Sequence, residues 1–263
     1  MAYADSDDAV VDTLRRNGMR ATTLDDIDWR RVHVVFLCVP TRATSDRGAF
    51  DDVLDATALI GRGLSRAKGH VTVAVRSTLV PGVADTLIVP CLQHAADGRA
   101  GVDFGFVVNP EFLRTATVDE DVDHPWITVV GAADQRSGDV IEELFRPFGG
   151  RVIRCTPLEA ELVKIGSNCF NALKISYFNE LHSVAVAAGA DSVRVNEAIA
   201  SAAEGMWNPL YGTTGGTAYA GDCLPQDVEN LARAARANGW ELRLVETALE
   251  VNHRMSDGDD RRR

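Results

Sequence analysis

Three groups of residues have the types and spacing for chemistry. Lys164 and Asn168 lie four residues apart in a long helical pattern, so they project from one helix face. An ammonium and an amide stacked this way can hold a developing oxyanion by charge and by hydrogen bond. The same pair also reads as a solvated lysine and a surface asparagine. Cys223 stands in the glycine-rich stretch YGTTGGTAYAGDCLPQD (211–227), with Asp227 four residues on. Glycines let a backbone approach a ligand closely, and a thiol near a carboxylate can be a nucleophile. The competing reading is a buried, inert cysteine. The third group is three polar strand ends: Pro40-Thr41, Ser77-Thr78 and Asn109-Pro110-Glu111. Each alone reads as an ordinary turn. Ligands of open α/β sheets bind beyond the carboxyl ends of strands, so three such ends on one edge point to a site. Glu111 is then its base or hydrogen-bond acceptor.

The elements that must position these residues follow from apolar periodicity. VHVVFLCV (32–39) is a continuous apolar run, the pattern of a strand buried on both faces. HVTVAVRST (70–78), FGFVVNPEFL (104–113) and WITVVGA (126–132) read as further strands, and 151–154 as a short last one. Helical spacing covers 50–67, 83–96 with a break at Pro90, and 134–145. Strands alternating with helices predict a right-handed, mostly parallel, doubly wound α/β sheet. A short helix at 8–16 and a turn at Asn17-Gly18 precede it. From Thr156 onward nothing reads as a strand. Thr156, Pro157 and Glu159 form a capped helix start, and Gly189 can end the run. At about 1.5 Å per residue that helix spans roughly 45–50 Å, a spine for other elements. Helices at 193–203, 226–238 and 245–255 follow, with a loop at 207–222. The organisation is an α/β domain over 1–155 and a helical domain over 156–263. Apolar Phe170, Leu173, Tyr177 and Phe178 on the long helix invite a two-fold partner.

Bulk properties exclude several classes. The 263 residues are 46% hydrophobic and 25% charged, ordinary values for a globular chain, and carry a formal net charge of −11. The only dense basic run is Arg261-Arg262-Arg263, so a nucleic acid partner is not expected. No apolar run reaches about 18 residues, and no membrane span is expected. Five scattered cysteines without a CxxC suit reduced thiols in a cytoplasm. Cys38, Cys155 and Cys169 sit in apolar patterns and read as core; Cys91 carries no signal. Six dispersed histidines give no metal-ligand spacing.

Six segments, VVFLCVPT, VAVRSTLVPG, VVNPEFLR, AELVKIGSNCFNALKISYFNEL, AGDCLPQD and LEVNHRM, occur in an order that resembles the UDP-glucose/GDP-mannose dehydrogenase family. Several motifs in register over roughly residues 20–254 are far more specific than one glycine-rich match. The resemblance implies NAD-dependent oxidation of a nucleotide-sugar 6-alcohol to the uronate. It makes Cys223 the nucleophile that forms a thiohemiacetal and then a thioester. Lys164 and Asn168 become the oxyanion pair, and Asp227 the carboxylate that positions the hydrolytic water. Glu111 becomes the acid/base carboxylate with Thr78 as its hydrogen-bonded partner. Val39, Pro40, Thr41, Ser77 and Thr78 are implied to line the NAD site. Asp5 echoes the acid that holds the ribose. The family partners implied are a sugar or nucleotide-sugar substrate and a second copy of the chain.

The departures are specific. The family's opening GxGxxG turn, which seats the NAD pyrophosphate on a helix N-terminus, has no counterpart, and neither does its C-terminal nucleotide-binding domain. The expectation is therefore a truncated sheet. AYAGDCLPQD replaces the family's GFGGSCFPKD, placing Asp222 before the cysteine and Gln226 where a lysine stands. An added anion and a lost cation weaken a thiolate nucleophile. Arg76 replaces the lysine of KST. Two alternatives to the redox reading stay open at this point. One is a remodelled member doing NAD-free sugar or nucleoside chemistry, such as epimerisation, dehydration or an aldol-type step. The other is an inactive dimerisation partner or remnant.

Overall fold

The computed structural model describes residue 16 and residues 18–41, 48–114, 117–221 and 223–260. The chain divides into two compact units, Met1–Ser167 and Asn168–Arg263. Asp5 and nearly all of the helix expected at 8–16 lie outside the described residues.

The first unit is built on five strands: β1 (Val34–Leu37), β2 (Thr72–Val75), β3 (Gly105–Val108), β4 (Ile127–Ala132) and β5 (Arg151–Cys155), in that spatial order. β1, β2 and β3 run parallel, β4 runs antiparallel to β3, and β5 returns parallel to β4. The sheet is thus mostly parallel, as the apolar runs imply. β2 and β3 are buried at every position, which explains why they read as unbroken rather than alternating apolar runs.

Helices cover both faces. α1 (Asp51–Leu64) links β1 to β2, and α2 links β2 to β3 as a π turn (Ala84–Ile88) running into Val89–Ala96. The break expected at Pro90 does not occur. The Val89 N–H bonds the Ala84 carbonyl five residues back, and this widened turn accommodates a residue that has no N–H to place. Val53, Ile60, Ile88 and Leu92 pack with Val73, Val75, Phe106 and Val108 on this face. Each such side chain contributes about 1.5–3 kcal/mol by leaving water. Gly63 has a packing reason: a Cβ there would lie 2.0 Å from the ring of buried Trp29. After the short α3 (Val118–Asp123), α4 (Gln135–Phe145) covers the opposite face. There Ile141 meets Ala74, Val107 and Val130. Asp134 caps α4 through the Ser137 N–H at 2.9 Å.

The long helix α5 is Pro157–Ala187. The expected capping box forms: the Thr156 N–H donates to Glu159 Oε2 at 2.7 Å, and the Glu159 N–H to Thr156 Oγ1 at 3.3 Å. Gly189, at φ +75, ends the helix. The Ala190 N–H bonds the Ala185 carbonyl at 2.8 Å, closing a left-handed C-terminal cap. The division between units falls within α5, after Ser167.

In the second unit α6 (Ser192–Ala202), α7 (Glu204–Trp207), α8 (Cys223–Asn238) and α9 (Arg243–Asp260) follow, with no strand among the described residues. Val184 of α5 packs with Ala232, Ala235, Leu242, Val245 and Leu249. Glu180 accepts the Leu244 N–H at 3.1 Å, capping the start of α9 from the side of α5. Tyr177 joins this core rather than a free face, with Phe178 edge-on to it at 5.3 Å. Phe170, Leu173 and Ile175 remain more than half exposed. Cys38 and Cys169 are exposed, not core as their apolar surroundings imply, and Cys155 is half-buried.

Candidate active site

The three polar strand ends converge. Val39, Pro40 and Thr41 beyond β1, Ser77 and Thr78 beyond β2, and Glu111 and Leu113 beyond β3 line one cleft of about 530 Å³, with Cys38 and Arg76. The parallel run of β1, β2 and β3 produces this, because it places all three carboxyl ends on one edge. Ser77 stitches that edge: its hydroxyl donates to the Val39 carbonyl at 2.6 Å. Thr78 is half-buried in the cleft and forms no hydrogen bond to Glu111 among the described residues.

Glu111 is held from two directions. Lys164 Nζ lies 3.2 Å from its Oε1 and donates to its main-chain carbonyl at 2.6 Å. The Leu113 N–H donates to its Oε2 at 2.6 Å. Lys164 is buried and also lies over the Phe112 ring at 5.2 Å. Burial of an ammonium is costly unless it is paired, and this pairing answers the cost. The solvated-lysine reading therefore does not describe Lys164.

One turn earlier on α5, Glu161 is buried and accepts the N–H groups of Gly82 and Ala84 at 2.6 and 2.7 Å. It caps the start of α2 just after the Thr78 end. The loop after Glu111 is anchored by Asp121, which is buried and accepts the Arg114 N–H at 2.8 Å and the Thr117 hydroxyl at 3.1 Å. The Arg114 guanidinium, bonded to Asp121, holds that carboxyl down to about 2 and stacks on Trp126 at 4.8 Å. Asn109 ties β2 to β4: its Oδ1 accepts from Arg76 at 2.7 Å and its Nδ2 donates to the Val129 carbonyl at 2.8 Å. Periodicity marks none of them: Glu161 and Asn109 act through partners distant in sequence, and Asp121 through Arg114 and Thr117 of its own loop.

Asn168, Cys223 and Asp227 belong to the second unit and are exposed there. Cys223 opens α8, and Asp227 follows one turn later on the same helix. Asp222 lies outside the described residues. The glycine-rich loop before Cys223 is fastened by Asn252 of α9. Its Oδ1 accepts the Tyr219 N–H at 2.7 Å and its Nδ2 donates to the Tyr219 carbonyl at 3.2 Å. Asn252→Ala leaves both main-chain groups without a partner and is expected to cost about 1–3 kcal/mol. Hydrogen exchange checks this: amides around Tyr219 speed up while those of β2 and β3 do not change.

A mostly parallel α/β unit with a cleft at the carboxyl edge of β1, β2 and β3 is shared by many enzyme families. Comparison with known proteins identifies which. Residues 3–149 match the model of the UDP-glucose/GDP-mannose dehydrogenase family NAD binding domain, and residues 158–254 that of the family's central domain. The chain belongs to this family. It is 35% identical over 223 residues to a GDP-mannose 6-dehydrogenase of Pseudomonas aeruginosa, covering 83% of this chain and 50% of the relative. It is 33% identical over 241 residues to a UDP-glucose 6-dehydrogenase of Haloferax volcanii, covering 89% and 55%. The solved ternary complex of the Pseudomonas aeruginosa GDP-mannose dehydrogenase superposes with a TM-score of 0.85 at 30% identity, over 94% of this chain and 57% of that one. The chain spans about half the length of the relatives it matches.

Proposed function

We propose that this chain is a cytoplasmic, NAD-dependent nucleotide-sugar 6-dehydrogenase that converts a 6-alcohol to the uronate. In this reading residues 1–155 are the cofactor domain and 156–263 the helical domain. The observation that carries it is the convergence of Val39, Pro40, Thr41, Ser77, Thr78 and Glu111 on one cleft, with Lys164 locked onto Glu111. The cleft's size, its strand-end backbone and its hydroxyls suit a dinucleotide. NAD, when bound, supplies the two-electron acceptor for each of two oxidations. Glu111 takes the proton of the 6-hydroxyl, and Thr78 lines the same cleft. Lys164 and Asn168 hold the negative charge that develops on that oxygen. The Cys223 thiolate adds to the aldehyde as a thiohemiacetal, so the aldehyde is not released, and its oxidation leaves a thioester. Asp227 orients the water that hydrolyses the thioester and frees Cys223. Five free cysteines suit a reducing compartment, and no helix among the described residues is long and apolar enough to cross a membrane.

The relatives' names point to GDP-mannose or UDP-glucose as substrate. Incubating the chain with NAD and each sugar nucleotide tests the reading. NADH and uronate are expected with one of them, and neither with Cys223→Ala. Turnover that survives both Cys223→Ala and Lys164→Ala would sink the assignment.

The reading includes a homodimer through α5, supported by exposed Phe170, Leu173 and Ile175. Phe170→Asp buries a charge in that contact and is expected to raise the dimer dissociation constant by about tenfold or more. Analytical ultracentrifugation of both proteins decides it. A monomeric wild-type chain would contradict the dimer.

A further inference from the structure

Arg76 is a half-buried cation lining the cleft, and its charge has no ionic partner among the described residues. The other enclosed cations differ. Lys164 pairs with Glu111, and Arg154 with Asp139 and Glu142. Arg76 instead donates one hydrogen bond, to Asn109 Oδ1 at 2.7 Å, and lies over the Phe145 ring at 5.3 Å. Asn109 cannot be an anion, and its amide is fixed in place because Nδ2 is committed to the Val129 carbonyl. We infer that the Arg76 guanidinium anchors an oxyanion, phosphoryl or carboxylate, of a small ligand in the cleft beyond β1, β2 and β3.

A guanidinium has five N–H donors in a planar fork that matches two oxygens of such a group. One donor is used by Asn109, and the fold holds the fork rigid through that bond and through Phe145. Rigid placement lowers the entropy lost on binding. The hydroxyls of Thr41 and Thr78 line the same cleft and make no hydrogen bond among the described residues. They are uncommitted donors on its wall. Ser77 is not, since its proton goes to the Val39 carbonyl. Two groups act on Arg76 at longer range, the Cys38 thiol and the Glu111 carboxylate. Glu111 is already bound by Lys164, so it does not neutralise Arg76. Burial pulls the pKa of Arg76 below the ordinary guanidinium value, the direction expected of a charge awaiting a counter-ion.

The inference rests on the cleft taking a ligand, as the dinucleotide reading also requires, but not on hydride transfer. The test uses the full chain labelled with ¹⁵N. The Arg76 Nε–H resonance is identified by its loss in Arg76→Lys. Inorganic phosphate, pyrophosphate and acetate are then titrated at constant ionic strength against chloride. The expected result is a saturable shift of that resonance with a phosphorus oxyanion or with acetate, and none with chloride. The first two probes against the third tell phosphoryl from carboxylate recognition. In calorimetry, Arg76→Gln is expected to weaken the effective anion by about ten- to a hundredfold. No saturable shift with any of the three, or unchanged affinity in Arg76→Gln, overturns the inference. The wild-type titration decides the matter even where the Gln variant does not fold. A chain that answers to the anion but not to NAD keeps the anion site and loses the dinucleotide reading.

Discussion

Glu161→Ala lowers the stability of the first unit by about 3 kcal/mol, a shift of roughly 6–12 °C in melting temperature for a unit of this size. The size follows from what is left behind. Glu161 is fully buried and accepts two main-chain N–H groups, of Gly82 and Ala84, at the start of α2. Ala84 is itself buried, so water does not replace the lost acceptor. A charged acceptor at a helix start also gains from the aligned peptide dipoles. Glu161→Gln keeps one acceptor of similar shape and is expected to lose about half as much. Thermal unfolding by circular dichroism measures both. A melting temperature within about one degree of wild type for Glu161→Ala would show that α2 does not depend on this cap.

Lys164→Ala is expected to lower turnover by about 10²- to 10⁴-fold. Lys164 does two things at once. It holds the Glu111 carboxylate in the cleft, and it supplies a buried positive charge beside it. Lys164→Arg is not expected to rescue, because a bulkier planar guanidinium does not fit the buried place of an ammonium that reaches the Glu111 carbonyl and carboxylate from one atom. A structural readout accompanies the kinetic one. Amides at 111–114 exchange faster in Lys164→Ala, since two hydrogen bonds to Glu111 are gone. Unchanged exchange and unchanged turnover together would remove Lys164 from the site.

Much of the fold was legible because burial writes itself into local pattern. β2 and β3 are buried on both faces, so their apolar runs are continuous and plain to read. The capping box at Thr156 and the glycine cap at Gly189 are short-range chemistry and form as their residue types require. Pro90 shows the limit. Its effect depends on whether a π turn precedes it, and that is set by packing against α1 and the sheet rather than by neighbouring residues. The reversal of β4 relative to β3 likewise leaves no mark on the β4 apolar run. At the site, the strand-end residues could be found because open α/β sheets put ligands there. Glu161 and Asn252 could not, since their partners lie 33 to 79 residues away, and Asn109 is legible only as a strand-end residue, not through its ties to Arg76 and Val129. Cys38 is exposed because it lies at the cleft just past β1, an edge strand on which Phe36 is exposed as well.

The central claim is that the strand-end cleft seats NAD. Calorimetric titration of the purified chain with NAD, alone and with GDP-mannose or UDP-glucose, tests it most directly. The account predicts a dissociation constant below about 1 mM, equivalent to roughly 4 kcal/mol or more of binding free energy. It also predicts weaker binding when Thr78 is replaced by a bulky residue that fills the cleft. No binding heat in any combination, across several temperatures, would contradict the claim.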